Sequence, residues 1–173
     1  MNSTKYNPPE WNHWLMQGVY WVASKSKDPM TKIGALIVKD RRIVSSGYNG
    51  IPSGVNDALE ARSQRPDKYK WYEHGERNAI YAAARYGIQI EESFLYTNAL
   101  PCADCARGII QSGISNVYVH KQFGDICNMH QRDQWKGHDT VAFELFNESG
   151  VQVFQIDAVI GCKAYFDGKI FDV

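Results

Sequence analysis

No sign of charge dominates this chain. Of its 173 residues, 19 are lysine or arginine and 19 are aspartate or glutamate. No global field therefore draws it toward DNA, RNA or an anionic lipid surface, and a small ligand fits the balance better. Cysteine is scarce, with four in all: Cys102, Cys105, Cys127 and Cys162. With a hydrophobic content of 44%, the chain can bury a core without a disulfide scaffold, and in a reducing compartment the close pair Cys102 and Cys105 suits metal binding better than oxidation. No apolar run is long enough to span a bilayer, and the opening Met1 to Pro9 lacks the apolar core of a signal peptide. These absences predict a cytoplasmic protein that has no membrane partner. Internal repeats and low-complexity tracts are missing too, so residues 1–173 are expected to form one domain.

What is present is a succession of short amphipathic segments. Trp11, Trp14, Leu15, Val19, Val22 and Ala23 recur at three-to-four spacing and predict one stripe of a helix ended by Asp28-Pro29. Ile33 to Val38 and Arg41 to Ser46 predict a hairpin turning at Lys39-Asp40. The glycines and proline of Gly47 to Gly54 predict a break in regular structure. Asn56 to Tyr72 is polar and predicts a long loop or lid with a short helical piece, the core of an insertion at about residues 53–72. Beyond it, helices are expected at Glu76–Tyr86, Ala103–Ser112 and Val141–Ser149, each stopped by a glycine. Strands are expected at Phe94–Thr97, Asn116–His120 and Val151–Ile156. A second polar insertion is expected at about 121–139. The alternation predicts a three-layer α/β/α sandwich around a mixed sheet of about five strands.

Chemistry concentrates in His74-Gly75-Glu76 and Pro101-Cys102-Ala103-Asp104-Cys105. A neutral imidazole and two thiolates fill three corners of a zinc tetrahedron, and no fourth ligand follows at finger or ribbon spacing. The open corner holds a water that Zn2+ makes acidic enough to ionise near pH ~7. A lone histidine is ordinarily a core residue, and a lone C-x-x-C can be a redox pair. Here both motifs open helices whose positive ends favour thiolate, and Glu76 sits two residues from the histidine. H-x-E with P-C-x-x-C is the general signature of zinc-dependent nucleobase deaminases, in which the glutamate shuttles protons.

Ser26 to Pro29, Ile33-Gly34-Ala35, Gly47-Tyr48-Asn49-Gly50-Ile51-Pro52, the H-x-E, Pro101 to Ala106, Ile109 to Ile114, and Leu145 to Val151 together resemble deoxycytidylate deaminases over roughly residues 24–156. The resemblance implies conversion of dCMP to dUMP and ammonia. It also implies His74, Cys102 and Cys105 as zinc ligands, Glu76 as the proton shuttle, and Pro101 beside the substrate. Asn49 would contact the sugar hydroxyl, the Gly75 backbone the pyrimidine carbonyl, and Lys27 or Lys121 the 5′-phosphate. Asn49 is equally at home as a turn former, and Lys27 as a solvated charge. Family members are often homohexamers activated by dCTP and inhibited by dTTP, and Mg2+ is expected to accompany such an effector. Aromatic residues at 13%, among them Trp11, Trp14, Trp21, Trp71 and Trp135, exceed what a small core hides and fit subunit contacts.

Two departures from the family stand out. Relatives mostly carry alanine or valine where Gly75 stands, so room for a 5-substituted cytosine is expected beside the ring. Cys127, His130 and His138 lie in the second insertion and raise a second, structural zinc site as an alternative, while Cys162 reads as a small apolar filler. Two other functions compete with the leading one. A deaminase acting on tRNA adenosine or single-stranded cytosine would share the zinc motif, yet it calls for a basic path that this charge balance lacks. A catalytically silent zinc-stabilised binding protein would close the fourth metal corner with a side chain.

Overall fold

In the computed structural model, residues 8–129 and 138–173 are described. Five strands form the central sheet: β1 (Gly34–Lys39), β2 (Arg42–Tyr48), β3 (Phe94–Thr97), β4 (Asn116–His120) and β5 (Gln152–Ile156), in the order β2-β1-β3-β4-β5. β1 runs antiparallel to both neighbours, whereas β3, β4 and β5 are parallel. The crossovers use helices, as parallel pairs require. Helix α4 (Ala103–Gln111) joins β3 to β4, and α5 (Lys121–Met129) and α6 (His138–Ser149) precede β5. Two cores flank the sheet. Helix α1 (Trp11–Ala23) packs Leu15, Met16 and Val19 against Leu36, Val38 and Tyr96 on one face. On the other, α3 (Gly75–Arg85), α4 and α6 contribute Ala79, Ala83, Ile109 and Phe146 against Ala35, Ile37 and Val117. This is the expected three-layer mixed-sheet sandwich. β1 is apolar and buried from Gly34 to Val38 because both its faces are covered.

Several expectations are corrected. The buried stripe of α1 is rotated from the tryptophans: Met16 and Tyr20 are buried, while Trp11 and Trp14 are about half exposed. Trp21 and Trp71 are exposed as well, Trp71 beneath the Arg62 guanidinium, and Trp135 lies outside the described residues. The segment expected as a polar insertion from Lys121 opens instead as α5, whose Phe123 and Ile126 are buried in the α1-side core. Polar residues there are simply the outer face of an amphipathic helix. The C-terminal residues, beyond the last expected strand, form a hairpin of β6 (Lys163–Phe166) and β7 (Lys169–Asp172). Its two-residue turn is Asp167-Gly168, both at positive φ, the geometry that Asp-Gly most readily adopts. Finally, Gly47 and Tyr48 belong to β2, pairing with Ala35 and Gly34, so the break in regular structure begins only at Asn49.

The polar stretch 56–72 carries a 3-10 turn (Glu60–Ser63) and the short helix α2 (Lys68–Trp71), as a lid with a helical piece should. Among the described residues, three ion pairs connect it to the body: Lys27 with Asp57, Arg65 with Asp167 of the hairpin turn, and Lys68 with Asp28. The first is largely solvated and worth little. The third is buried.

Candidate active site

β1 begins, and β3 and β4 end, at the same edge of the sheet, because β1 is antiparallel to them. Helices α3 and α4 start there. His74 is the residue before the first turn of α3, Cys102 stands likewise before α4, and Cys105 lies in the first turn of α4. These starts bring His74 Nδ1 to 3.5 Å from both Cys102 Sγ and Cys105 Sγ. The three ligand atoms lie within 4.8 Å of one another, and among the described residues no fourth histidine, cysteine, aspartate or glutamate joins them. Two thiols so close cannot ionise independently. The Cys105 hydrogen bond, with further help from His74, outweighs burial and pulls the Cys102 pKa down to about 3. Cys105 is pushed up by that same hydrogen bond and by burial, so it keeps its proton until a cation displaces it. At His74, burial opposes the charged imidazole, but the Cys102 hydrogen bond and the Glu76 charge outweigh it and raise the pKa.

Glu76 follows on the first turn of α3 and is only 3% exposed. Its Oε2 has no hydrogen-bond partner among the described residues. Burial raises its pKa, with the Cys102 charge adding to the effect. A buried carboxylate oxygen with nothing to bond is costly, and such atoms are tolerated where another group is meant to meet them. The donor set of one imidazole nitrogen and two thiol sulfurs suits zinc, and the unpartnered oxygen suits a water or substrate beside it.

A cavity of about 370 Å³ opens onto this cluster. Its lining includes His74, Glu76 and Cys102 of the cluster, residues of segment 56–72 such as Lys68 and Tyr72, and Phe166 of the hairpin. The volume suits a ligand of nucleotide size.

The family described as the cytidine and deoxycytidylate deaminase zinc-binding region matches residues 9–121. The chain belongs to that family. The deaminase is 38% identical to the uncharacterized deaminase in the luxG 3′ region of Aliivibrio fischeri, over 83% of this chain and 92% of that one. It is 33% identical to human deoxycytidylate deaminase, over 82% of this chain and 77% of that one. Its fold matches the dCMP deaminase of cyanophage S-TIM5, solved in complex with dCMP and dUMP, with a TM-score of 0.63 and 26% identity, covering 87% of this chain and all 100% of that one.

The other expected site residues of the deaminase divide between cavity and surroundings. Asn49 and Lys121 line the cavity. Lys27 does not; its side chain is largely exposed and bonds to Asp57 at 2.7 Å. Pro101 is buried, while its neighbours Leu100 and Cys102 are the residues that reach the cavity. Gly75 is also absent from the lining, and a Cβ there would meet the Ile33 carbonyl oxygen at 3.0 Å. The space it leaves is closed by the backbone of Ile33, just before β1, and of Gly47 in β2, so the expected room for a 5-substituent does not open at Gly75. Of the residues considered for a second zinc site, Cys127 lines the cavity from α5, and His130 lies outside the described residues. Cys162 packs partly buried against the α1-side core, as a filler would.

Some neighbours of the cluster carry no motif. Arg77, in the first turn of α3, donates from Nη1 to Cys105 Sγ at 3.4 Å and from Nε to Glu73 Oε1 at 2.6 Å. Glu73 Oε1 also accepts the His74 backbone N–H at 3.0 Å. The guanidinium offsets thiolate charge and the carboxylate steadies both sides of the cluster, a supporting role that outer residues play at metal sites. Arg77 shows itself in the sequence only as a basic residue one position after Glu76. By contrast, the hairpin bearing Phe166 and Asp167 had a readable signal, Asp-Gly between two short apolar runs.

Among the described residues no helix is long and apolar enough to cross a membrane.

Proposed function

We propose that this deaminase converts dCMP and water to dUMP and ammonia. The observation that carries the reading is the buried Glu76 Oε2, unpartnered among the described residues, beside a three-ligand cluster that no fourth described side chain closes. His74 Nδ1 and the Cys102 and Cys105 sulfurs would hold Zn2+, which would supply a Lewis acid that makes water nucleophilic near neutral pH. Glu76 moves the protons. Its raised pKa lets the carboxylate take a proton from the attacking water, hold it at Oε2, and give it to ring N3 as oxygen bonds to C4. The remaining water proton follows through the same carboxylate to the 4-amino group. The C4–N bond then breaks, ammonia leaves, and the oxygen stays as the uracil carbonyl. Leu100, Val119 and Phe166 keep bulk water from the ring.

Asn49 reads the sugar in this proposal, as an acceptor. Its Nδ2 hydrogens go to Asp28 Oδ2 at 3.1 Å and the Thr31 carbonyl at 2.8 Å, and its Oδ1 accepts the Ile33 N–H at 2.9 Å. One Oδ1 lone pair is left, which a 3′-hydroxyl can use. For the 5′-phosphate, lining of the cavity supports Lys121 over Lys27. Replacing the phosphate-binding lysine by alanine should raise KM for dCMP about ten- to hundredfold while leaving deoxycytidine little changed. Equal damage to both substrates in Lys121→Ala removes that residue from the reading, and the same comparison with Lys27→Ala decides the other.

The overall test is ammonia release from dCMP, dCTP, deoxycytidine and tRNA. dCMP is expected to turn over fastest; faster release from tRNA would favour the nucleic-acid reading, and none from any of the four the catalytically silent one. Control by dCTP and dTTP, Mg2+ accompanying the effector and assembly into a homo-oligomer belong to the same proposal and rest on the family resemblance, while a cytoplasmic location is proposed from the sequence alone.

A further inference from the structure

We propose that Lys68 is a positioning residue for sugar recognition: acting through Asp28, it locks the Asn49 amide with its acceptor free for the substrate and its donors turned away. The inference rests on the reading of Asn49 as the acceptor of the 3′-hydroxyl.

Four donors converge on the Asp28 carboxylate. Oδ1 accepts the Met30 and Thr31 backbone N–H groups at 2.8 and 3.3 Å, and Oδ2 accepts Asn49 Nδ2 at 3.1 Å and Lys68 Nζ at 2.6 Å. A carboxylate has about four lone-pair sites, so this one is saturated. An amide in its place would turn an NH2 toward at least one of those donors. The Asn49 amide is locked in turn, because its Nδ2 faces two acceptors and its Oδ1 faces the Ile33 N–H. A flip would set like against like at all three contacts.

Lys68 is the remote member of this network. It stands on α2 of the lid, 40 residues from Asp28 in the chain, and is only 5% exposed, with Asp28 at 2%. Its Nζ lies 5.9 Å from the Tyr69 ring centre and 5.6 Å from that of Tyr72. Lys68, Tyr69, Tyr72, Asp28 and Asn49 all line the cavity. An ammonium desolvated among rings is seldom more stabilising than apolar packing of the same volume, so stability does not account for a lysine here. Its position does: it couples the seating of the lid to the orientation of the sugar-reading amide. Without it, the Asp28 carboxylate loses its charged donor and can swing off Asn49 Nδ2, leaving the amide only its Thr31 and Ile33 contacts to hold its orientation.

The test compares kcat/KM for dCMP with that for 2′,3′-dideoxycytidine 5′-monophosphate, which lacks the hydroxyl. The wild-type enzyme should prefer dCMP by about tenfold or more, the scale of one buried hydrogen bond. Lys68→Met should lose about tenfold on dCMP, through KM rather than kcat, and change by less than about twofold on the dideoxy analogue, so the preference disappears. If Lys68→Met does not fold because Asp28 is left buried and unpaired, Asp28→Asn with Lys68→Met removes both charges together and should lack the preference too. A selective wild type whose foldable variant loses equally on both substrates overturns the role of Lys68 and leaves that of Asn49 standing. A wild type indifferent to the hydroxyl overturns the reading of Asn49, and this proposal with it.

Discussion

Glu76→Gln is expected to keep one zinc per chain and to lose turnover by about 10³-fold, within the range that a positioned acid and base supplies. The amide matches the carboxylate in shape, so neither α3 nor the ligand set has reason to move. Glu76 is not one of the three clustered ligands, which are His74, Cys102 and Cys105. What the substitution removes is the ability to take a proton at Oε2 and pass it on. Thermal unfolding separates this from a packing effect. Burial raises the Glu76 pKa, which marks the carboxylate as a destabilised charge, so the neutral amide should unfold at or above the wild-type temperature. Sites built for catalysis commonly give up stability in this way. Turnover within tenfold of wild type, with zinc retained, would mean that another group carries the protons.

Gly47→Ala is expected to lower the melting temperature by about 10 °C and to reduce zinc content and activity together. A Cβ at Gly47 would lie 2.3 Å from both the Ala79 nitrogen and the Gly75 carbonyl oxygen. Both are backbone atoms of α3, so no side chain can swing aside, and the cost belongs at the upper end of overpacking, about 3 kcal/mol. Relief requires α3 to lift from β2. That lift carries His74 and Glu76 away from the cysteines on α4, which explains why metal and activity should fall with stability. Gly50 is the control from the same motif. Gly50 is buried too, yet its added Cβ would meet nothing nearer than a Tyr48 ring carbon at 3.9 Å, so nothing has to shift and Gly50→Ala should melt within about 2 °C of wild type. A Gly47→Ala protein that melts as wild type does, with full zinc, would show that α3 has slack that the packing denies.

Gly47 also marks where reading residues in order stops working. Glycine signals a turn when counted along the chain, and Gly54, at φ +86°, obeys that rule. Gly47 obeys another, because it lets a helix backbone rest on a strand, and that requirement comes from α3, nearly 30 residues later. Gly75 misled in the same manner: its missing side chain faces Ile33 instead of the cavity. Trp11 and Trp14 share the period of the buried α1 stripe yet lie outside it, since periodicity places residues on a stripe without saying which way that stripe faces. Helix α5 was hidden because its polar face was read as a loop. The β6–β7 hairpin carried an Asp-Gly turn that could have been recognised.

The sequence by itself determined the ligand types, their placement at two helix starts, the carboxylate two residues from the histidine, and the mixed α/β order of elements. These are local properties, set by residue chemistry and by periods of two and 3.6 residues. Only the tertiary structure decided that, among the described residues, the three ligand atoms meet without a fourth and Glu76 Oε2 is buried unpartnered, that Arg77 and Glu73 support the cluster, and that Lys68 reaches Asp28, and through it Asn49, from segment 56–72. Each of those facts joins residues far apart in the chain. Such contacts exist only once the sheet has brought β1, β3 and β4 to a common edge, and no local spacing rule encodes them.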